Sequence, residues 1–393
     1  MLHDLIITGA GPVGATLALT LADGDLDLVA LDVRAAGTPG RGDRSLALSL
    51  GARLIFERVG VWSAVAAERD AVTPISAIDV SQRGGFGQMR LDAVEQGLPA
   101  LGYVVSYRAL QAALDSALAR AGINILYGTT VAEVRATPSY AAVDTMRAGT
   151  RSELTARLVA IADGTGDIMS AVRRRRHDYG QVALIGKLWP REPHQNVAFE
   201  RFTPQGPMAL LPAGDHYGLV WTTTPEQGQS LLELPDPEFL ATLRRRFGPC
   251  GGARGVQLEA FARVADRRVF PLHLDYAEHV VGERAVLLGN AAQALHPVAG
   301  QGFNLGMRDA YELAQELLAT PRDAVGSRAR LAAYARRRRR DRVAGIAFTH
   351  GLLAAFGSDA SLLRWPRGLA LTMLDAMPVV KCALTRAMSF GAR

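Results

Sequence analysis

Apolar runs and helix-spaced apolar positions alternate along the first 160 residues, the pattern of strands and helices packed in layers. Residues 5–7 and 28–31 are short, continuously apolar runs that predict buried strands, with a helix-period stretch, 15–21, between them. Over 44–62, Leu46, Leu50, Leu54, Ile55 and Val59 recur at helical spacing and predict one helix with Arg44 near its start. From 71 to 91 the helical period disappears around Gly84, Gly85 and Gly87, which predicts a strand hairpin inserted from another layer. A short strand and an amphipathic helix follow over 103–118, with Arg108 and Gln111 in the first helical turn. Short strands are expected at 123–126, 131–134 and 158–162.

Residues 179–270 carry alternating segments divided by Pro and Gly, which predict a mostly antiparallel sheet interrupted by a helix over 236–247. Shared texture pairs this block with 71–91. A further buried strand, 285–288, leads through Gly289, Asn290, Pro297, Gly300 and Gly302 into a helix from about Asn304. Beyond Pro321 the chain reads as helical, over 329–342, 343–357 and 362–384. In the last stretch Leu362, Trp365, Leu369, Met373 and Met377, with Arg364 and Arg367, form an amphipathic face with basic edges. Such a face suits core packing and an interfacial or lipid-facing helix equally well.

The chemistry enters at Gly9, Gly11 and Gly14, spaced G-x-G-x-x-G between the first strand and the first helix. Gly9 allows a tight turn, Gly11 lets backbone approach a pyrophosphate, and Gly14 lets helix pack on strand. Free N–H groups at the helix start attract phosphate. Asp32, 18 residues beyond Gly14, ends the second strand where it can accept a ribose hydroxyl. The motif specifies a dinucleotide and leaves FAD and a nicotinamide nucleotide open. Asp163-Gly164 ends another strand, the place where open α/β sheets bind ligands, although a plain turn has the same form. The glycines from 300 to 302 free amides at a helix N-terminus. His296 has no second His or carboxylate at ligand spacing, so it reads as backbone-bonded.

Of 393 residues, 49% are hydrophobic and 21% charged, which excludes a disordered chain and leaves room for two or three domains. The net charge of +6 is local in origin, because arginine runs at 173–176 and 336–340 contribute nine positive charges. A solvated face or an anionic membrane surface accounts for them; no recognition motif points to nucleic acid. Two cysteines, Cys250 and Cys382, form no metal or disulfide pattern and suit a reducing cytoplasm. The first strand begins too early for a signal peptide, and no apolar run reaches transmembrane length.

Three separated signals, the glycine triplet, Asp163-Gly164 and 289–309, occur in an order that resembles the flavoprotein monooxygenases related to p-hydroxybenzoate hydroxylase. The segment GNAAQALHPVAGQGFNLGMRDA, with DRSLALS and YVVSYRALQAAL, is most similar to the ubiquinone-biosynthesis hydroxylases, the branch that includes 2-polyprenyl-6-methoxyphenol hydroxylase. The resemblance implies an α/β fold with a Rossmann-like FAD-binding domain, an inserted antiparallel β-sheet substrate domain and a helical C-terminus. The FAD-binding domain would be discontinuous, comprising 1–70, 100–176 and 266–330. Residues 71–99 and 177–265 would form the substrate domain, and 331–393 the helical region. Bound FAD would meet Gly9, Gly11, Gly14 and Asp32 with its ADP half. Arg44, Arg108 and Asp163 match family positions near the cofactor, with Gln111 a neighbour. Asn290 would contact the ribityl chain, Pro297 the ring, and the amides of Gly300, Gly302 and Asn304 the pyrimidine end.

One departure from the family pattern is the TGDIM segment that separates Asp163-Gly164 from Ser170 and Arg173, so those two are not carried over. The implied activity is hydroxylation of a polyprenylated phenol with NAD(P)H and dioxygen as co-substrates. The implied setting is cytoplasmic, peripheral at the inner membrane face and beside other ubiquinone-biosynthesis proteins. Alternatives are a hydroxylase of a small phenol or polyketide, a flavin reductase on the same fold, and a flavin-free scaffold subunit. No catalytic acid or base emerges from the sequence.

Overall fold

In a computed structural model the described residues are 1–38, 44–169, 172–248, 261–357 and 361–392. Ser170 and Cys250 lie outside them. The first sheet is mixed, with parallel strands at its heart. Thr150–Ile161 pairs in parallel with Leu2–Thr8, which pairs with Leu28–Asp32, which pairs with Asn124–Tyr127; Ala285–Leu287 adds to the other side. Leu5, Ile6 and Ile7 are fully buried, as a strand covered on both faces requires. Helix Pro12–Leu21 starts with Pro at its first turn and packs against helices Tyr107–Arg120 and Gln301–Leu318.

The second sheet has eight strands in the order Gln293–Ala294, Phe261–Ala277, Arg174–Pro190, His216–Thr223, Gly206–Ala213, Val197–Thr203, Ala77–Gln82 and Gln88–Asp92. Its pairing is antiparallel except where Val197–Thr203 meets Ala77–Gln82 in parallel. One face is a core of its own. Leu184, Phe199, Leu210, Leu219 and Trp221 pack there against Phe239, Leu243 and Phe247 of helix Asp236–Phe247. The opposite face turns toward a three-stranded sheet, Ser45–Ser49, Gly102–Ser106 and Val72–Ile75, and toward the C-terminal helices.

Several sequence expectations change. The single helix over 44–62 is a strand, Ser45–Ser49, followed by helices Leu50–Arg58 and Trp62–Ala67. Leu46 and Leu48 are buried and alternate with Ser45 and Ala47, so a period of two coexists with the helical spacing and cross-strand pairing with Gly102–Ser106 decides between them. Ser49 then caps the helix, its Oγ accepting from the Ala52 N–H at 3.2 Å. Strand Ala141–Arg147 and helix Pro225–Glu233 had no counterpart in the sequence reading. Residues 328–356 form one helix, Arg328–Phe356, where two were expected.

The second arginine run is also more than a solvated or lipid-facing surface. Arg338 is 5% exposed and bonds Asp309 and Asp341, both at 2.8 Å, while Arg308 reaches Asp341 at 2.7 Å. Arg337 pairs with Glu316. These bonds tie helix Arg328–Phe356 to helix Gln301–Leu318, so part of the charge that looked like a partner signal is spent inside the fold, while Arg336, Arg339 and Arg340 stay exposed.

Candidate functional site

The glycine triplet, Asp163 and Asn290 gather where the central parallel strands end. A Cβ on Gly9 (φ +94°) would stand 2.6 Å from the Ala162 carbonyl oxygen and 3.0 Å from the Asp163 Cα, so the turn after the first strand touches the Asp163 loop. A Cβ on Gly14 would meet the Gly9 oxygen at 1.9 Å, and one on Gly306 would meet the Gly289 Cα at 2.8 Å and Val13 at 3.2 Å. These contacts bring the glycine triplet, Asp163 and Asn290 to one edge. Gly11 differs: a Cβ there meets no protein atom within 4 Å. Open space thus lies before a helix N-terminus, where an anionic group is favoured.

Asp32 is buried, and its carboxylate accepts from the Ala10 N–H at 2.9 Å and from the Arg34 N–H at 2.8 Å and Nε–H at 3.1 Å. The same guanidinium donates to the Ala10 carbonyl and to Asp115. Burial works against the Arg34 charge, but hydrogen bonds to Asp32 and Asp115 outweigh it and hold its pKa above the usual value. Gln111 joins this cluster, donating to the Ala10 carbonyl at 3.1 Å and to Asp115 at 2.8 Å. Arg34 and Asp115 were missed by the sequence reading. The available signal was Arg34 itself, a cation two residues beyond the strand-ending acid.

Asp163 is exposed, and it accepts from the N–H groups of Thr165 and Gly166, which makes it the shaper of its own loop. Arg44 and Arg108 are both exposed. Arg44 lies over the Tyr107 ring at 4.8 Å, beside a hollow of about 50 Å³ that Ser45, Asp70 and Lys187 also line. Asn290 and Pro297 are exposed near the helix that follows.

Gly300 takes the left-handed conformation (φ +59°) at the start of helix Gln301–Leu318. Asn304 is buried and its side chain is fully engaged. It accepts from the Ser49 N–H at 2.7 Å and donates to the carbonyls of Ala47 at 3.1 Å and Gly300 at 2.8 Å. Backbone amides, rather than the Asn304 side chain, are therefore what this loop presents.

His296 is 1% exposed, and its Nδ1 accepts from the Val298 N–H at 3.2 Å, as a backbone-bonded histidine should. Burial pushes its pKa down to about 4, so the imidazole is neutral at pH 7. Its ring meets Tyr179 edge-on at 5.4 Å. Tyr179 in turn borders a second hollow, of about 290 Å³, lined also by His177, Phe202, Pro207, His350 and Phe356. Among the described residues, no group of three or more His, Cys, Asp or Glu is placed to hold a metal.

A model of the FAD binding domain matches residues 3–347. The chain belongs to this FAD-binding family. FAD is therefore the dinucleotide that the glycine triplet left open, and the open approach at Gly11 fits its pyrophosphate. The chain is 32% identical over 392 residues to a ubiquinone hydroxylase, UbiL, of Rhodospirillum rubrum, covering 96% of this chain and 87% of that protein. It is 28% identical over 391 residues to 3-demethoxyubiquinol 3-hydroxylase of Escherichia coli, with 96% of each covered. The solved structure of p-nitrophenol 4-monooxygenase PnpA from Pseudomonas putida superposes with a TM-score of 0.77 at 17% identity, covering 100% of this chain and 99% of that one, a likeness of fold.

The contrast among the glycines gives a direct test of where FAD sits. Gly11→Asp has room for its side chain, so the protein should fold with an unchanged melting temperature measured without added FAD. Its carboxylate would face the pyrophosphate, and flavin retention through gel filtration should fall at least tenfold, about 1.4 kcal/mol of binding energy. Unchanged retention would place FAD elsewhere.

Proposed function

We propose that this chain is an FAD-dependent monooxygenase that uses NAD(P)H and dioxygen to hydroxylate the aromatic ring of a polyprenylated phenol in ubiquinone biosynthesis. The observation that carries this reading is its likeness, over 96% of the chain, to a protein named ubiquinone hydroxylase and to one named 3-demethoxyubiquinol 3-hydroxylase, at 32% and 28% identity. Gly9, Gly11, Gly14 and Asp32 would hold the ADP half of FAD, flanked by Arg44, Arg108 and Asp163. Asn290 would hold the ribityl chain, with Pro297 and the amides from Gly300 through Gly302 to Asn304 at the ring. Bound there, FAD would supply the redox chemistry that links NAD(P)H, dioxygen and the phenol. The protein orients the ring, excludes water and places a helix N-terminus where negative charge develops on the cofactor.

The division of labour follows the two cores. Residues 1–70, 100–176 and 266–330 serve the cofactor, residues 71–99 and 177–265 serve the substrate, and residues 331–393 close the molecule. Separate apolar clusters support this, one around Leu5, Val159 and Met307 and another around Leu184, Phe239 and Phe247.

The C-terminal helices favour a lipid substrate. In helix Ser361–Ala376, Leu371 packs under Met89 and Leu91, while Trp365 (73% exposed), Leu369 and Met373, with Met377 just beyond the helix, are left on the outside near Arg364 and Arg367. Among the described residues no single helix is long and apolar enough to cross a membrane; the segments Leu363–Ala376 and Pro378–Phe390 pass that test only together, and they meet at 93°. An apolar face with basic edges suits peripheral attachment to an anionic bilayer, where the prenyl tail and other enzymes of the route would be found.

In a strain lacking this chain, metabolite profiling should show a prenylated phenol one ring oxygen short of its product, restored by the wild-type gene. An unaltered quinone pool would remove ubiquinone synthesis from the account. For the membrane claim, Trp365→Glu with Met373→Glu should leave FAD content unchanged and reduce binding to vesicles containing anionic lipid by tenfold or more. Equal binding of variant and wild type would discard the membrane role.

A further inference from the structure

The sheet face turned toward the cofactor side carries one carboxyl group that nothing above has used. Along Val197–Thr203 side chains alternate between faces, so Ala198, Glu200 and Phe202 share one. Ala198 packs with Ile75 and Val104 of the three-stranded sheet. Phe202 stacks on Phe356 at 4.1 Å and lines the 290 Å³ hollow with Tyr179, whose ring reaches His296, the neighbour of Pro297. Glu200 therefore stands midway between the sheet that Asn304 clamps and the Tyr179–His296 corner.

Its cross-strand neighbours are apolar. Val80 lies on one side and Ala209 on the other, with Val220 and Ile185 continuing the row. Val80, Val220, Ile185 and Leu211 are only half-buried, whereas Phe199, Leu210, Leu219 and Trp221 on the opposite face are buried. An apolar sheet face left half-open on the cofactor side is a floor for a flat hydrophobic ligand. Glu200 is half-buried on this floor, and among the described residues no hydrogen bond or ion pair reaches it. A carboxyl group set among apolar side chains without a partner is costly, and such groups concentrate at functional sites.

We propose that Glu200 receives the hydroxyl of the phenol and takes up its proton as the ring is hydroxylated. The inference rests on the monooxygenase reading above. The phenolic O–H bond breaks, its proton forms a new O–H bond on the Glu200 carboxylate, and the freed electron pair moves into the ring, raising its electron density at the carbon that accepts oxygen. No further oxidant or reductant is needed for this transfer. The prenyl tail would lie along the apolar floor toward Leu371 and Leu374.

Burial supports the assignment, since it raises the Glu200 pKa to about 8. Other titratable groups on this face are Lys187, His216, Arg268 and Tyr179 on neighbouring strands, with Arg44 and Asp70 across the gap and His350, Arg367 and Asp375 on the helices. None of them offsets the effect of burial on the carboxyl. A carboxyl group takes up the phenol's proton only when ionised, and the carboxylate is also the stronger acceptor of its hydrogen bond. The acceptor form thus grows as pH rises through about 8, close to the pH at which a general base works best.

The test compares a short-chain prenylated phenol with its methyl ether, which has no proton to donate. Calorimetric binding to the FAD-loaded protein between pH 6 and 9 stays below the ionisation of a phenol at about 10. Wild type should prefer the phenol by roughly ten- to hundredfold at pH 9, the range for a hydrogen bond to a charged group, and lose most of that preference at pH 6. Glu200→Gln, close in shape, should show a preference that does not vary with pH, and its kcat/KM should lose the rise through pH 8 that wild type shows. The same pH dependence in Glu200→Gln, or none in wild type, would overturn the role of Glu200. Failure of both compounds to bind would overturn this inference together with the phenol reading. Binding with the expected pH dependence but without hydroxylation would leave Glu200 as the phenol acceptor and reject only the monooxygenase reading.

Discussion

Everything functional in this chain depends on how closely helix Gln301–Leu318 approaches the first strand–helix unit. Gly306 against Gly289 and Val13, and Gly14 against the Gly9 carbonyl, leave no room for side chains. Asn304 then fastens the same helix to Ala47 and Ser49 with two hydrogen bonds, and a third holds the Gly300 carbonyl at the helix start. Buried polar side chains satisfied in this way fix one arrangement, because any shift leaves a donor or acceptor unpaired in a low-dielectric interior. The result is a fixed relation between the glycine triplet and the helix that follows the loop at Pro297.

The buried and half-buried titratable groups have two fates. Arg34 and Arg338 are consumed by carboxylates, the first bracing Asp32 and the second joining two helices through Asp309 and Asp341. Glu200 and the neutral His296 have no such charged partner. Groups with paired charges hold the fold; the two without lie on or beside the floor where a substrate ring would rest.

How much of this was readable from residues alone follows the locality of each signal. The glycine triplet, Asp163-Gly164 and the 289–309 segment were legible because tight turns and close backbone approach demand particular residues in short windows. The strand Ser45–Ser49 was not, since its leucines satisfy helical and alternating periods at once and only the pairing with Gly102–Ser106 decides. Asp32 was found without Asp115, because the bond that joins Asp115 to Arg34 spans 81 residues; Arg34 itself, two residues from Asp32, was a local signal. Glu200 was invisible in the sequence: one glutamate in an alternating strand looks solvent-facing until Val80, Ala209, Val220 and Ile185 are seen beside it. The arginine run misled for the same reason, its carboxylates being supplied by another helix.

The central claim is that the chain holds FAD so that an oxygen atom of dioxygen reaches a phenol ring on the adjoining sheet. The most direct measurement supplies the purified, FAD-loaded protein with NAD(P)H, a short-chain prenylated phenol and ¹⁸O₂, and reads the product by mass spectrometry. One ¹⁸O atom in each new ring hydroxyl, with NAD(P)H oxidation stimulated by the phenol, is the predicted result. NAD(P)H oxidation with no label in the product, or reduction of the prenyl chain instead, would contradict the account.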